Sequence, residues 1–126
     1  MTPNGLLTTV TSGILAFMAQ FFACPYLGSD VELTDEREAH IASRHGDLLP
    51  AHLDLISQTL LAPDAIHASR SYSNRLLFSS WYDEFRGGKY ILVVVAGDST
   101  NALRRWIVTA HILRKPVPGE ALWRRG

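Results

Sequence analysis

"KYILVVVA" (89–96) decides the fold. It is a continuous apolar, β-branched run, the composition of a strand covered on both faces. "RGG" (86–88) before it and "GDSTNA" (97–102) after it have the composition of turns. Working outward, "LLFSSWYDEF" (76–85) and "LRRWIVTAHIL" (103–113) read as flanking strands. "AIHASRSY" (65–72) alternates and reads as another, with Ile66, Ala68 and Arg70 on one side and "SNR" (73–75) as its turn. Pro116, Pro118 and Gly119 predict an irregular tail ending in Trp123.

Upstream the period changes. "DEREAHIASRHGD" (35–47) predicts a helix: Thr34 or Asp35 can cap its start, and Asp35, Glu36 and Glu38 suit its positive end. Gly46 is a natural stop. A second helix follows, with Pro50 in its first turn, Leu53, Ile56 and Leu60 as its buried stripe, and Pro63-Asp64 as its end. "VELT" (31–34) is a short strand after the turn "CPYLGSD" (24–30). Residues 6–24 are the most apolar stretch. "MTPNG" lacks the basic start of a signal peptide, and three threonines, Ser12 and Gln20 interrupt a spanning helix, so a buried first helix or strand is expected. The predicted fold is one α+β domain over 1–126, with two N-terminal helices packed on an antiparallel sheet of about four strands.

The chain has 126 residues and is 47% apolar, enough for one real core. Lys+Arg and Asp+Glu are 12 each, so the total charge does not mark a strongly basic nucleic-acid binder. The distribution is uneven. Residues 1–64 carry eight acids and two bases, whereas 65–126 carry four acids and ten bases. Either the basic half meets an anionic partner, or the two halves attract each other within the fold. Cys24 is the single cysteine, so no internal disulfide or cysteine zinc site is available, and a reducing, cytoplasmic setting fits.

On a helical wheel at about 100° per residue, Arg37, His40, Ile41, Arg44 and His45 share an arc of about 140°. Ile41 is the one large apolar residue of that helix and should point inward, which draws the basic groups towards the sheet. Drawn-in cations need partners. A bound phosphate would serve. The structural alternative pairs Arg37 and Arg44 with Asp54, Asp64 or Asp83. His40 and His45 are five apart, which does not aim two imidazoles at one metal; His111 could join them from a strand, but no acidic ligand is evident. Thr109 and His111 alternate onto one strand face with Ile107 and Arg105; Lys89 opens the central strand. Signatures of acyl transfer, nucleotide triphosphate or dinucleotide chemistry do not occur.

"VELTDEREAHIASRHGDLL", "ISQTLLAPDAI", "RSY" and "KYILVVVA…WIVTAHIL" together resemble the phage-associated nuclease-like domains of the barnase–EndoU–colicin–RelE superfamily. The resemblance covers about residues 31–113 and is strongest in "EREAHIASRH"; Gly46-Asp47 stands where that family prefers proline and an acid. The resemblance implies metal-independent RNA cleavage of a toxin- or phage-derived type. No cofactor or metal is implied. RNA is the implied partner, with an inhibitor or antitoxin protein as a second, and no membrane. On matching positions it makes His40 and His45 acid/base candidates and Arg37 and Arg44 phosphate clamps, and places Arg70, Thr109 and Lys89 along the cleft. His111 joins them by strand alternation. The competing readings are a non-catalytic module of the same fold that binds a phosphate-bearing ligand or a protein, and a purely structural cluster.

Overall fold

The computed structural model describes residues 19–98, 100 and 104–126. Its strands are β1 (Ala19–Cys24), β2 (Ser29–Thr34), β3 (Ala65–Ala68), β4 (Arg75–Tyr82), β5 (Lys89–Gly97), β6 (Arg105–Leu113) and β7 (Trp123–Arg124). Its helices are α1 (Asp35–Arg44) and α2 (Leu53–Leu61). The strands form one seven-stranded sheet in the order β1-β2-β6-β5-β4-β3-β7. All neighbours are antiparallel except β2 and β6, which meet in parallel at Glu32 and Trp106.

This overturns the predicted fold of two N-terminal helices on an antiparallel sheet of about four strands. Among the described residues the sheet has seven strands, is mixed, and dominates the architecture. The helices follow a β-hairpin instead of opening the fold. The physical reason lies at the two ends of the chain. Residues 19–24, read as the end of an apolar run, pair in full register with 29–34 around Gly28, whose φ of 67° closes the turn. At the other end, Trp123 and Arg124 cross the irregular tail and zip onto β3. Residues 1–18, and with them the buried helix or strand expected over 6–18, lie outside the described residues.

The helices form as their residues dictate. Thr34 Oγ1 accepts the Arg37 N–H at 3.1 Å and caps α1. Ile41 is fully buried beneath it. The helix ends at Arg44, two residues before Gly46. In α2, Ile56 and Leu60 are fully buried. Pro50 precedes α2 and does not sit in its first turn. α2 packs on β4 and β5 and also on β1, so the sheet curls round it. α1 lies against β2 and β6, and Gln20 of β1 donates to Glu38 at 3.0 Å. Phe78, Ile91, Val93, Ile107 and Ala110 face this core from the sheet. No helix among the described residues is long and apolar enough to cross a membrane.

Candidate acid–base site at the α1–β6 edge

The parallel pairing of β2 with β6 ends as α1 begins, so α1 runs beside the C-terminal half of β6. Arg37, Ile41 and His45 stand at i, i+4 and i+8, on one stripe of the helix. His45 is fixed through its backbone. Its N–H donates to Ile41 O, and its O accepts from Leu48 and Leu49, both fully buried. On β6, His111 stands opposite Leu92 of β5. The His45 and His111 rings meet edge to face, with centroids 4.6 Å apart and planes at 75°. Burial holds the His111 pKa below its ordinary value, and the neighbouring His45 charge adds to that.

Strand alternation needs a correction here. A β-bulge between the Val94 and Val95 pairings leaves Val108 unmatched. Thr109 and His111 still share a face, but Ile107 turns into the core and Arg105 no longer belongs with them. Thr109 is half-buried, two residues from His111.

The remaining candidates divide. Arg37 is half-buried, and its Nε is buried with no hydrogen-bond partner among the described residues. His40 is half-buried and outside the imidazole pair; Arg44 is exposed. Lys89 donates through Nζ to Arg86 O at 2.7 Å and Gly88 O at 3.2 Å, so it fastens the β4–β5 turn. Arg70 lies past the end of β3, in the turn to β4, and does not share a strand face with Ile66. Its guanidinium passes Gly119, where a β-carbon would stand 3.0 Å away. β4 and β5 separate it from β6.

The structural pairing of Arg37 or Arg44 with Asp54, Asp64 or Asp83 does not occur: Asp64 is held by Arg125 at 3.2 Å. That pair, and Arg104 with Glu32 at 3.5 Å, each join an acid of the first half to a base of the second. The uneven charge distribution is therefore used in part within the fold. Among the described residues no three His, Cys, Asp or Glu side chains converge on a metal position.

A basic corner escaped the sequence. Arg75 stacks on Tyr72 with its Cζ 3.8 Å from the ring centre, and its Nε is buried without a hydrogen-bond partner among the described residues. It lines an open cleft of about 430 Å³ with Asn74, Asp98 and Arg105. Its signal was the pair Tyr72 and Arg75 across a predicted turn, which alternation alone could not bring together.

No protein-family model matches the chain. No curated protein and no solved structure matches it either.

Proposed function

We propose that the chain is a metal-independent endoribonuclease whose acid–base pair is His45 and His111. The edge-to-face contact of the two rings, 4.6 Å between centroids, carries the reading. One phosphodiester laid across them can touch both. His111, whose pKa is lowered, is neutral near pH 7 and takes the proton of the ribose 2′-OH. The 2′-oxygen attacks the adjacent phosphorus. The 5′-oxygen leaves with a proton from His45. The products are a 2′,3′-cyclic phosphate and a 5′-hydroxyl. Charge gathers on the non-bridging oxygens as the phosphorus becomes five-coordinate. Arg37 lies on the helical stripe of His45, about two turns away, and its positive charge favours the bound phosphate from there. Thr109 supplies a hydroxyl on the face of His111. The resemblance of "EREAHIASRH" to nuclease-like domains supports the same reading.

The test is cleavage of a labelled single-stranded RNA in EDTA by wild type, His45→Ala and His111→Ala. Wild-type cleavage to a cyclic phosphate, lost in both variants, is the expected result. Folded wild type that leaves every RNA intact rejects it.

One observation favours a second reading, a non-catalytic module that holds a phosphate-bearing ligand. Neither histidine lines any of the four clefts identified. A module of that kind binds RNA with no cleavage to lose, and Arg37→Ala weakens it.

A further inference from the structure

Row by row, β4, β5 and β6 place Trp81 opposite Tyr90 and Tyr90 opposite Leu113; one row along, Ser79, Leu92 and His111 stand opposite one another. Trp81, Tyr90 and His111 thus share a face of the sheet. Tyr90 and His111 are diagonal neighbours, a relation that puts α-carbons about 7–8 Å apart.

Trp81 is held firmly for a surface residue. Its backbone N–H donates to Asp64 Oδ2 at 2.8 Å, and Arg125 fixes that carboxylate. Its ring lies against Gly88, where a β-carbon would stand 2.5 Å from Cζ2. Gly88 also has a φ of 97°, so both space and backbone demand glycine there. Tyr90 closes a further side, its ring centre 4.9 Å away at 64°. Beneath the same turn sits the Lys89 ammonium. Despite these supports Trp81 is 40% exposed. A large ring braced on the backbone and open to solvent gives up burial that a core position would provide.

We propose that Trp81, backed by Tyr90, is a stacking platform for an unpaired base of the strand lying over His45 and His111. This rests on the ribonuclease reading. At strand spacings of about 4.8 Å and a rise of about 3.4 Å per residue, Trp81 and His111 are about 12 Å apart along the sheet. That is within the reach of a dinucleotide, so one strand can stack at Trp81 and present a neighbouring phosphate to the imidazoles. Bases inside a duplex already have both faces covered, so the platform selects single strands.

The experiment measures binding of a fluorescent single-stranded 2′-O-methyl RNA, which lacks the free nucleophile and is not cut, alongside the same sequence annealed to its complement. Wild type should prefer the single strand. Trp81→Ala should weaken single-strand binding by on the order of ten-fold. Trp81→Phe should stay close to wild type, which separates stacking from misfolding. Trp81→Leu, which keeps apolar bulk without a ring face, should behave as Trp81→Ala. Unchanged affinity in Trp81→Ala, or full affinity in Trp81→Leu, overturns the platform. So does a wild type that binds neither form, which leaves the indole to a protein partner. Cleavage of unmodified RNA by the same proteins keeps the two readings apart. Cleavage with an indifferent Trp81 removes the platform alone, and Trp81-dependent binding without cleavage removes the catalysis alone.

Discussion

His67 and His111 project from the same face of one sheet, yet their surroundings have little in common. His67 stands opposite Leu77, which is opposite Val94, which is opposite Thr109, so the row beside that of His111 contains it. It is 3% exposed, and neither ring nitrogen has a hydrogen-bond partner among the described residues. His111 is half-buried, meets a second imidazole, and has its titration shifted by burial and by that neighbour. One histidine is sealed and unpartnered. The other has both solvent access and a group to exchange protons beside it. Only the second arrangement suits the proposed acid–base role, and the first costs stability, because a buried polar group without a partner loses its hydration for nothing.

The sharpest way to break this contrast is activity. His111→Ala should lower RNA cleavage by about 10²- to 10⁴-fold, the range for a lost acid–base group. A variant at His67 that folds should leave the rate unchanged, and rates measured with excess RNA in EDTA decide both. Stability should reverse the ranking. His67→Leu removes the unsatisfied imidazole and keeps apolar volume, so the urea midpoint should rise by the equivalent of about 1 kcal/mol. A fall would mean the imidazole has a partner after all.

Acid sharpens the contrast further. The folded pKa of His111 lies below its ordinary value of 6.5. Between those two values the unfolded chain binds more protons, so stability rises with pH there. It is fully present above 6.5, is lost as pH falls through 6.5, and levels off once folded His111 is itself protonated. Melting temperatures from pH 7.5 down to 5.5 should drop along this curve, and His111→Gln should remove that part of the drop. The smallest effect belongs to Arg44→Ala. The side chain is exposed, with no ion pair to an acid of either half among the described residues, so stability should move by no more than about 0.5 kcal/mol. A larger loss would restore the structural reading of the basic helix face.

Local chemistry made much of this legible in the sequence. Thr34 and the acids after it announce α1; Ile56 and Leu60 announce α2. The turns around 86–88 and 73–75 separate β3 to β5. Three features were out of reach for physical reasons. β1 continues an apolar run with no alternation to mark where pairing starts. β7 is two residues long and is defined wholly by the edge it meets. The bulge at Val108 is a property of two strands together, so one strand's alternation misassigned Ile107 and Arg105. "EREAHIASRH" drew attention to His40 and His45 alike, and alternation to His111; nothing local showed that the rings of His45 and His111 meet. Of the other candidates, Lys89 is engaged by the β4–β5 turn and Arg70 lies past the end of β3, placements that alternation did not show. Trp81 read only as a strand residue, although an aromatic followed by Gly87-Gly88 was its available signal.

The parallel junction of Glu32 with Trp106 bears on the order of assembly. It joins positions 74 residues apart (32 and 106), whereas β4, β5 and β6 meet through short turns. Closing the long loop costs more chain entropy than closing the short ones, and contacts of that range slow folding. The β4–β6 meander can therefore condense on its own, and the β1–β2 hairpin has no strand to join until β6 exists. During synthesis the hairpin is made before β6 and waits for it to cover the free edge of β2. Until β6 arrives β2 keeps an open edge, which makes the N-terminal hairpin a part of the nascent chain in need of protection from other chains.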